Sequence, residues 1–251
     1  MVTAKLPDCK IWKTSISAIA SLIEEAAFKL TPEGIKMKAM DPSHVALVDF
    51  EIPASAFKEY DVKRSTTLGV DLAEMNKIMG RARAEDEFTL ELDEEKNRLS
   101  LIFKGASTRK FSLPLIEVDE SELPEPKLQF TANADVVAGV IQDGLKDAEL
   151  VGDNVKFELT EEGFFMHTES DTGAAELRLQ RGDPGLLTLN VQRPARAMFN
   201  IKYLIDMTKA ASSTDVISIQ LGTDLPIQLD FKIAEAGGKL RFLLAPRIEA
   251  E

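Results

Sequence analysis

Two histidines, His44 and His167, and one cysteine, Cys9, are the side chains of this 251-residue chain best suited to proton transfer or nucleophilic attack near neutral pH. A nucleophilic triad needs a nucleophile, a base and an orienting acid brought together. Local sequence suggests no Cys/His or Ser/His arrangement, because Cys9 stands at a helix start and the histidines are far apart. His44 follows an Asp41-Pro42-Ser43 turn inside "MKAMDPSHVALVDFEIP" (Met37–Pro53), where a catalytic corner, a binding surface and an ordinary strand start all fit. One cysteine and two distant histidines cannot supply the four ligands of a zinc site. The chain has no G-x-x-x-x-G-K-[ST] loop and no G-x-G-x-x-G after a strand. "RGDPG" (Arg181–Gly185) reads as a turn between strands, and the acidic residues read as a solvated face in which spacing singles out no pair. The expectation is a protein that is not an enzyme, with no catalytic residues, cofactor or metal.

What remains is charge. The chain carries 30 Lys and Arg against 42 Asp and Glu, a net charge of −12. That total argues against a simple nucleic-acid binder, since duplex DNA is densely negative, but binding depends on where the positive charge sits. Lys10 and Lys13 lie one turn apart on a predicted first helix. Lys77 and Arg81 are four apart on a second, with Arg83 just beyond, and Lys202 and Lys209 share a face of a fourth. Lys146 is the lone base of the third, flanked by Asp143 and Asp147. These bases stand opposite apolar stripes, as a DNA-facing surface requires; solvated lysines on an exposed helix face look the same.

The elements that position these residues come from an internal repeat. "TPEGIKM" (Thr31–Met37) recurs as "TEEGFFM" (Thr160–Met166), a displacement of 129 residues. The same displacement places Leu72, Met75 and Ile78 on Ile201, Leu204 and Met207, and Phe88, Leu90 and Leu92 on Ile217, Ile219 and Leu221. Phe111, Leu113 and Leu115 fall on Leu240, Phe242 and Leu244, with a one-residue slip at the preceding hairpin. The chain therefore reads as a duplication, with halves at 1–117 and 128–251. Between them 118–127 is an acidic, proline-containing connector expected to be extended.

Each half reads as helix, strands, helix, strands. Three- and four-residue spacing of Ile11, Ser15, Ile19, Leu22, Ile23 and Ala26 predicts a helix near 9–28 with Asp8 as N-cap. Val136, Val137, Val140, Ile141 and Leu145 predict its copy near 135–149, and shorter helices fall near 71–82 and 200–211. Period-two alternation marks Phe88/Leu90/Leu92, Leu99/Leu101/Phe103, Phe111/Leu113/Leu115 and 186–191 as strands. The fold class is α+β, two helices on a mostly antiparallel sheet in each half. No apolar run approaches the ~20 residues of a membrane span, the N-terminus lacks a secretory layout, and a lone cysteine suits a reducing compartment. A cytosolic or nuclear protein is expected.

Four segments carry a family resemblance: "MDPSHVALV" (Met40–Val48), the linker ending "LPEPKLQF" (Leu123–Phe130), "DLPIQLDF" (Asp224–Phe231) and the tail "LRFLLAPRIE" (Leu240–Glu249). In order and spacing they resemble the sliding clamp family, that of proliferating cell nuclear antigen, over the whole chain. The resemblance implies a processivity factor, a homotrimeric ring of six similar domains around double-stranded DNA, with helices lining the hole and sheets outside. It makes Lys10, Lys13, Lys77, Arg81, Arg83, Lys146, Lys202 and Lys209 lumen candidates, touching phosphates without reading sequence. It places the subunit edges at "STRKFSL" (Ser107–Leu113) and "GAAELRLQ" (Gly173–Gln180), with Arg109 and Lys110 facing Glu176, and Phe111 and Leu177 as apolar contacts.

The resemblance further implies a pocket for short peptide motifs, formed by Met40, His44, Val45, Leu47, Leu123, Leu128, Pro226, Ala245, Pro246, Arg247 and Ile248, with His44 as a wall residue and not a base. The alternative for Met40, Val45 and Leu47 is a place in the strand core. Implied partners are DNA polymerase, clamp loader, flap endonuclease, DNA ligase and other bearers of clamp-binding motifs, with no membrane. Glu161 or Glu162 stands where eukaryotic members carry a modifiable lysine, and the linker lacks their longer apolar centre, so the chain looks archaeal and cytoplasmic. The alternative within the family is one subunit of a heterotrimeric or checkpoint-type clamp.

Overall fold

A computed structural model of the chain describes residues 2–118, 123, 126–171 and 173–248. The expected extended course of 119–122 and 124–125, and the last residue of the tail motif, Glu249, lie outside the described residues. The described residues fall into two compact units. The first holds the chain through Pro42, Val48–Leu123 and Lys232–Leu240; the second holds Ser43–Leu47, the region through Phe231, and the tail from Arg241.

In the chain's first half the elements are β1 (Val2–Leu6), α1 (Lys10–Ala20), β2 (Glu25–Thr31), β3 (Gly34–Met40), β4 (Ala46–Pro53), β5 (Glu59–Asp61), β6 (Thr66–Asp71), α2 (Leu72–Met79), β7 (Glu87–Asp93), β8 (Arg98–Lys104) and β9 (Thr108–Pro114). The second half runs β10 (Ala132–Val137), α3 (Ala138–Glu149), β11 (Asn154–Leu159), β12 (Gly163–Ser170), β13 (Gly173–Gln180), β14 (Leu186–Val191), β15 (Ala195–Asn200), α4 (Ile201–Thr208), β16 (Val216–Leu221), β17 (Ile227–Lys232) and β18 (Lys239–Leu244). The two lists are the same list. Strand order repeats as well: β5-β1-β7-β8-β9 is matched by β14-β10-β16-β17-β18, and β4-β3-β2-β6 by β13-β12-β11-β15. Even the register is kept, with Phe28 opposite Met37 and Leu30 opposite Ile35 in one copy, and Phe157 opposite Met166 and Leu159 opposite Phe164 in the other.

Two helices differ from the periodicity. The first ends at Ala20, and 25–31 is strand β2, because Ala26, Phe28 and Leu30 bury alternate side chains while pairing with β6. Ala26 satisfies both periods, which carried the predicted helix too far. The third begins at Ala138, since Ala132, Ala134 and Val136 are buried on alternate positions of β10. Asp8 accepts a hydrogen bond from Lys10 N (2.8 Å) while Cys9 occupies the capping position.

Each unit buries an aromatic centre beneath its helices. Trp12 on α1 packs tilted against Phe28 and Phe88 and edge-on against Phe50, at centroid distances of 5.6, 5.9 and 5.7 Å. In the second unit Phe157 meets Phe164 and Phe199. The β2–β3 hairpin is tight: Gly34 sits at φ +149°, and a Cβ there would lie 2.3 Å from Ile52 O, so only glycine fits.

Candidate functional site

The helices of each unit lie side by side, α1 on α2 and α3 on α4. Leu72, Met75 and Met79 are buried under α2, and Ile201, Leu204 and Met207 under α4, which leaves Lys77 and Lys202 outward. Lys10, Arg81, Arg83, Lys146 and Lys209 are exposed as well. The charge they present is partly neutralised one turn away. Lys77 pairs with Glu74, Lys146 with Asp143 at 3.2 Å, and Lys209 with Asp206. Lys13 is different: it is half-buried and its Nζ donates to Ala82 O (2.7 Å), tying α1 to the turn after α2.

That contact exposes a polar skeleton that the apolar repeat did not reveal. Displaced by the repeat length, Lys13 and Ala82 become Gln142 and Ala211, and Gln142 Nε2 donates to Ala211 O (3.0 Å) and Thr208 O (2.9 Å). Asp71 caps α2 by accepting from Glu74 N, and Asn200 caps α4 by accepting from Tyr203 N. Asp86 closes the turn after α2 by accepting from Arg83 N (3.0 Å), and Asp215 closes the turn after α4 by accepting from Ser212 N (2.8 Å). The signal that could have found these groups is the same displacement applied to polar rather than apolar positions.

The predicted subunit edges lie on strands that end their runs: β9 beside β8 alone, and β13 beside β12 alone. On β9, Arg109, Phe111 and Leu113 point one way; on β13, Ala175, Leu177 and Leu179 do so. Phe111 packs edge-on to Phe103 at 5.7 Å. The charges expected to meet across the edges have partners within their own units. Arg109 pairs with Asp86, donates to Arg81 O (2.7 Å), and lies 5.5 Å from the Phe103 ring centre. Lys110 pairs with Glu91 (3.1 Å), and Glu176 with Arg178 (2.8 Å), a hydrogen bond that lowers the Glu176 pKa.

Within the second unit, Ser43–Leu47 meets the C-terminal tail, where Ala245 N donates to Val45 O (2.8 Å). The tail continues along β15, with Arg247 N donating to Met198 O (2.7 Å), and the turn before β17 joins the same strand through Asp224 N to Arg196 O (3.1 Å). His44, Val45, Pro226, Ala245, Pro246, Arg247 and Ile248 thus lie on segments drawn together. Ile248 is 94% exposed and Val45 37%, whereas Leu47 is buried at 5%. Leu123, Leu128 and Met40 are half-buried, Met40 at the last position of β3. His44 takes φ 58°, a left-handed conformation that a polar residue tolerates in a turn. Cys9 is fully buried, and burial pushes its thiol up to about 12, so almost no thiolate exists near neutral pH. His167 lies on β12 opposite Lys156, with Nε2 3.5 Å from Glu169.

Comparison with known proteins agrees with this architecture. A family model of the N-terminal domain of proliferating cell nuclear antigen matches residues 1–122, and one of its C-terminal domain matches 126–247. The DNA polymerase sliding clamps of Thermococcus gammatolerans and Pyrococcus furiosus are each 42% identical over 234 residues, covering 93% of this chain and 93% of theirs. The crystal structure of PCNA from Thermococcus kodakaraensis aligns with a TM-score of 0.94 at 30% identity, covering 98% of this chain and 100% of that one. A chain of the PCNA2–PCNA3 complex from Sulfolobus tokodaii aligns with a TM-score of 0.90 at 26% identity, covering 98% and 99%. With family models matching both halves and relatives alike over nearly the whole length, this chain belongs to the proliferating cell nuclear antigen family, the DNA polymerase sliding clamps.

Proposed function

We propose that the chain is a DNA polymerase processivity factor that closes with two further copies of itself into a ring around duplex DNA. The observation that carries the reading is a mismatch between repeat copies. Phe111 and Leu177 are half-buried, whereas the residues at the same repeat positions, Leu240 and Val48, are 0% exposed. Ala175 is likewise half-buried where Ala46 is 1% exposed. Both strands that carry this uncovered apolar surface, β9 and β13, also end their sheets and so present an open backbone edge. In a head-to-tail assembly β9 of one copy pairs with β13 of the next, and both shortfalls are met at once.

The exposed bases Lys10, Lys77, Arg81, Arg83, Lys146, Lys202 and Lys209 then face the duplex. Closure around the helix removes any need for tight binding, which suits a net charge of −12 and the ion pairs that temper several of these lysines. The test is topological. Chain loaded onto nicked circular plasmid stays bound through gel filtration and is released when the plasmid is linearised; equal retention on both forms overturns encirclement.

Partner proteins dock, on this reading, on the second unit at His44, Val45, Leu47, Leu128, Pro226, Ala245, Pro246, Arg247 and Ile248, a short helical turn placing apolar anchors there. DNA polymerase, clamp loader, flap endonuclease and DNA ligase are the partners that carry such peptides. Support comes from exposed Val45 and Ile248 on segments joined by the Ala245–Val45 hydrogen bond. Replacing Val45 and Ile248 together by alanine should abolish calorimetric binding of a polymerase-tail peptide and leave the assembly mass unchanged; undiminished binding would sink the assignment. The likeness to a chain of the PCNA2–PCNA3 complex keeps a second reading, a subunit of a heteromeric ring. Sedimentation separates the two: the purified chain alone runs at three times 27.7 kDa, or as a monomer if it needs different partners.

A further inference from the structure

The buried carboxylate of Asp86 joins two surfaces that the proposed function treats separately. Its side chain is 6% exposed. One oxygen, Oδ2, accepts from Arg83 N (3.0 Å) and from Arg109 Nη2, while Arg109 Nη1 donates to Arg81 O (2.7 Å). The other oxygen, Oδ1, abuts Gly105 in the β8–β9 turn, where a Cβ would come within 2.2 Å. The turn bearing Arg81 and Arg83 and the first half of β9 are therefore joined through Asp86 Oδ2 and the Arg109 guanidinium, with the β8–β9 turn packed against the same carboxylate.

The second copy of the repeat shows what this adds. Asp215 closes the matching turn, accepting from Ser212 N (2.8 Å) and Ser212 Oγ (2.6 Å). No arginine reaches it from β18, because the residue matching Arg109 is Gly238. Turn closure is thus common to both units, and the reach to a strand belongs to the unit whose strand is an open edge. A free edge strand tends to fray, and ordering it on assembly costs conformational entropy. Arg109 spends two of its five N–H donors on this anchor, which leaves the others for an acceptor on a neighbouring copy.

We propose that Asp86 is a positioning residue for subunit assembly: through Arg109 it holds edge strand β9 ready for the next copy and fixes that edge to the DNA-facing turn at Arg81–Arg83. This rests on the reading of β9 as a subunit edge. The experiment compares Asp86→Asn with Asp215→Asn in the full chain, following the trimer dissociation midpoint by sedimentation well below either variant's melting temperature. Asp86→Asn should raise that midpoint by about tenfold or more, as loss of a buried charge-assisted bond at the edge implies, while Asp215→Asn leaves it within about twofold. Because a merely structural role would act through folding in both units alike, equal midpoints for the two variants overturn the proposal. Should Asp86→Asn fail to fold, Arg109→Gln provides the same reading, and an unchanged midpoint there overturns the proposal as well. A wild-type chain that is monomeric at every concentration overturns the edge reading itself and this proposal with it, whereas a wild-type trimer indifferent to Asp86→Asn overturns this proposal alone.

Discussion

Lys13 shows how a residue's type and its task can part. Its spacing on the first helix put it among DNA-facing bases, yet its amine is spent on Ala82 O, in the position where Gln142 serves Ala211 O. An uncharged donor does the same work in the second unit, so the charge is incidental to the contact. Lys13→Gln should therefore keep the thermal midpoint, whereas Lys13→Ala should lose about 1 kcal/mol, the net worth of one hydrogen bond, or roughly 2–4 °C in a protein of this size. Differential scanning calorimetry checks both, and a fall for Gln equal to that for Ala would show that the charge matters. Arg109 is a similar case, predicted to face an acid on another copy and found with Asp86 in its own unit. Sequence gives a residue's reach and charge; the choice among acceptors within that reach is made by packing.

At the scale of elements, most of the architecture was legible. Strands β7, β8, β9 and β14 follow from alternation, and the repeat transferred the first three to β16, β17 and β18. The errors fell where one residue satisfies two periods, as Ala26 does at the run from α1 into β2, or where a strand feeds directly into a helix, as β10 feeds α3. The site was less legible because it depends on burial. Leu47 and Val45 are neighbours on the same apolar run, and only their exposures, 5% and 37%, distinguish core from surface. The edges make a sharper case: nothing in the sequence of β9 marks it as uncovered while its copy β18 is not. Phe111→Glu or Leu177→Glu should turn the trimer into monomers at micromolar concentration in light scattering. The circular dichroism spectrum should be retained, since each side chain is half-buried in its own unit. A trimer of unaltered stability would remove these strands from the interface.

For the molecule as a whole, electrostatics sets limits on how DNA is held. A net charge of −12 and acid-paired lysines leave few phosphate contacts, so salt dependence should be shallow compared with a dedicated DNA binder. Each phosphate contact adds about −0.9 to the slope of log affinity against log salt. Neutralising Lys77, Arg81 and Lys209 should flatten the slope measured on short linear duplex by up to about 3. Retention on closed circular DNA should survive, because in the proposed ring it depends on enclosure and not on affinity. Loss of circular retention in a variant that is still trimeric would show that contact, rather than enclosure, keeps the protein on its track.

The strand ends at β9 and β13 have a consequence for durability. If the proposed ring forms, a copy parted from its neighbours displays the open edges of β9 and β13, flanked by apolar side chains, the geometry that seeds strand-to-strand aggregation. The weak point under heat is then the opened assembly rather than the unfolded unit. Dilution, which favours separated copies, should hasten precipitation rather than slow it, and the ring would act as the protein's own chaperone.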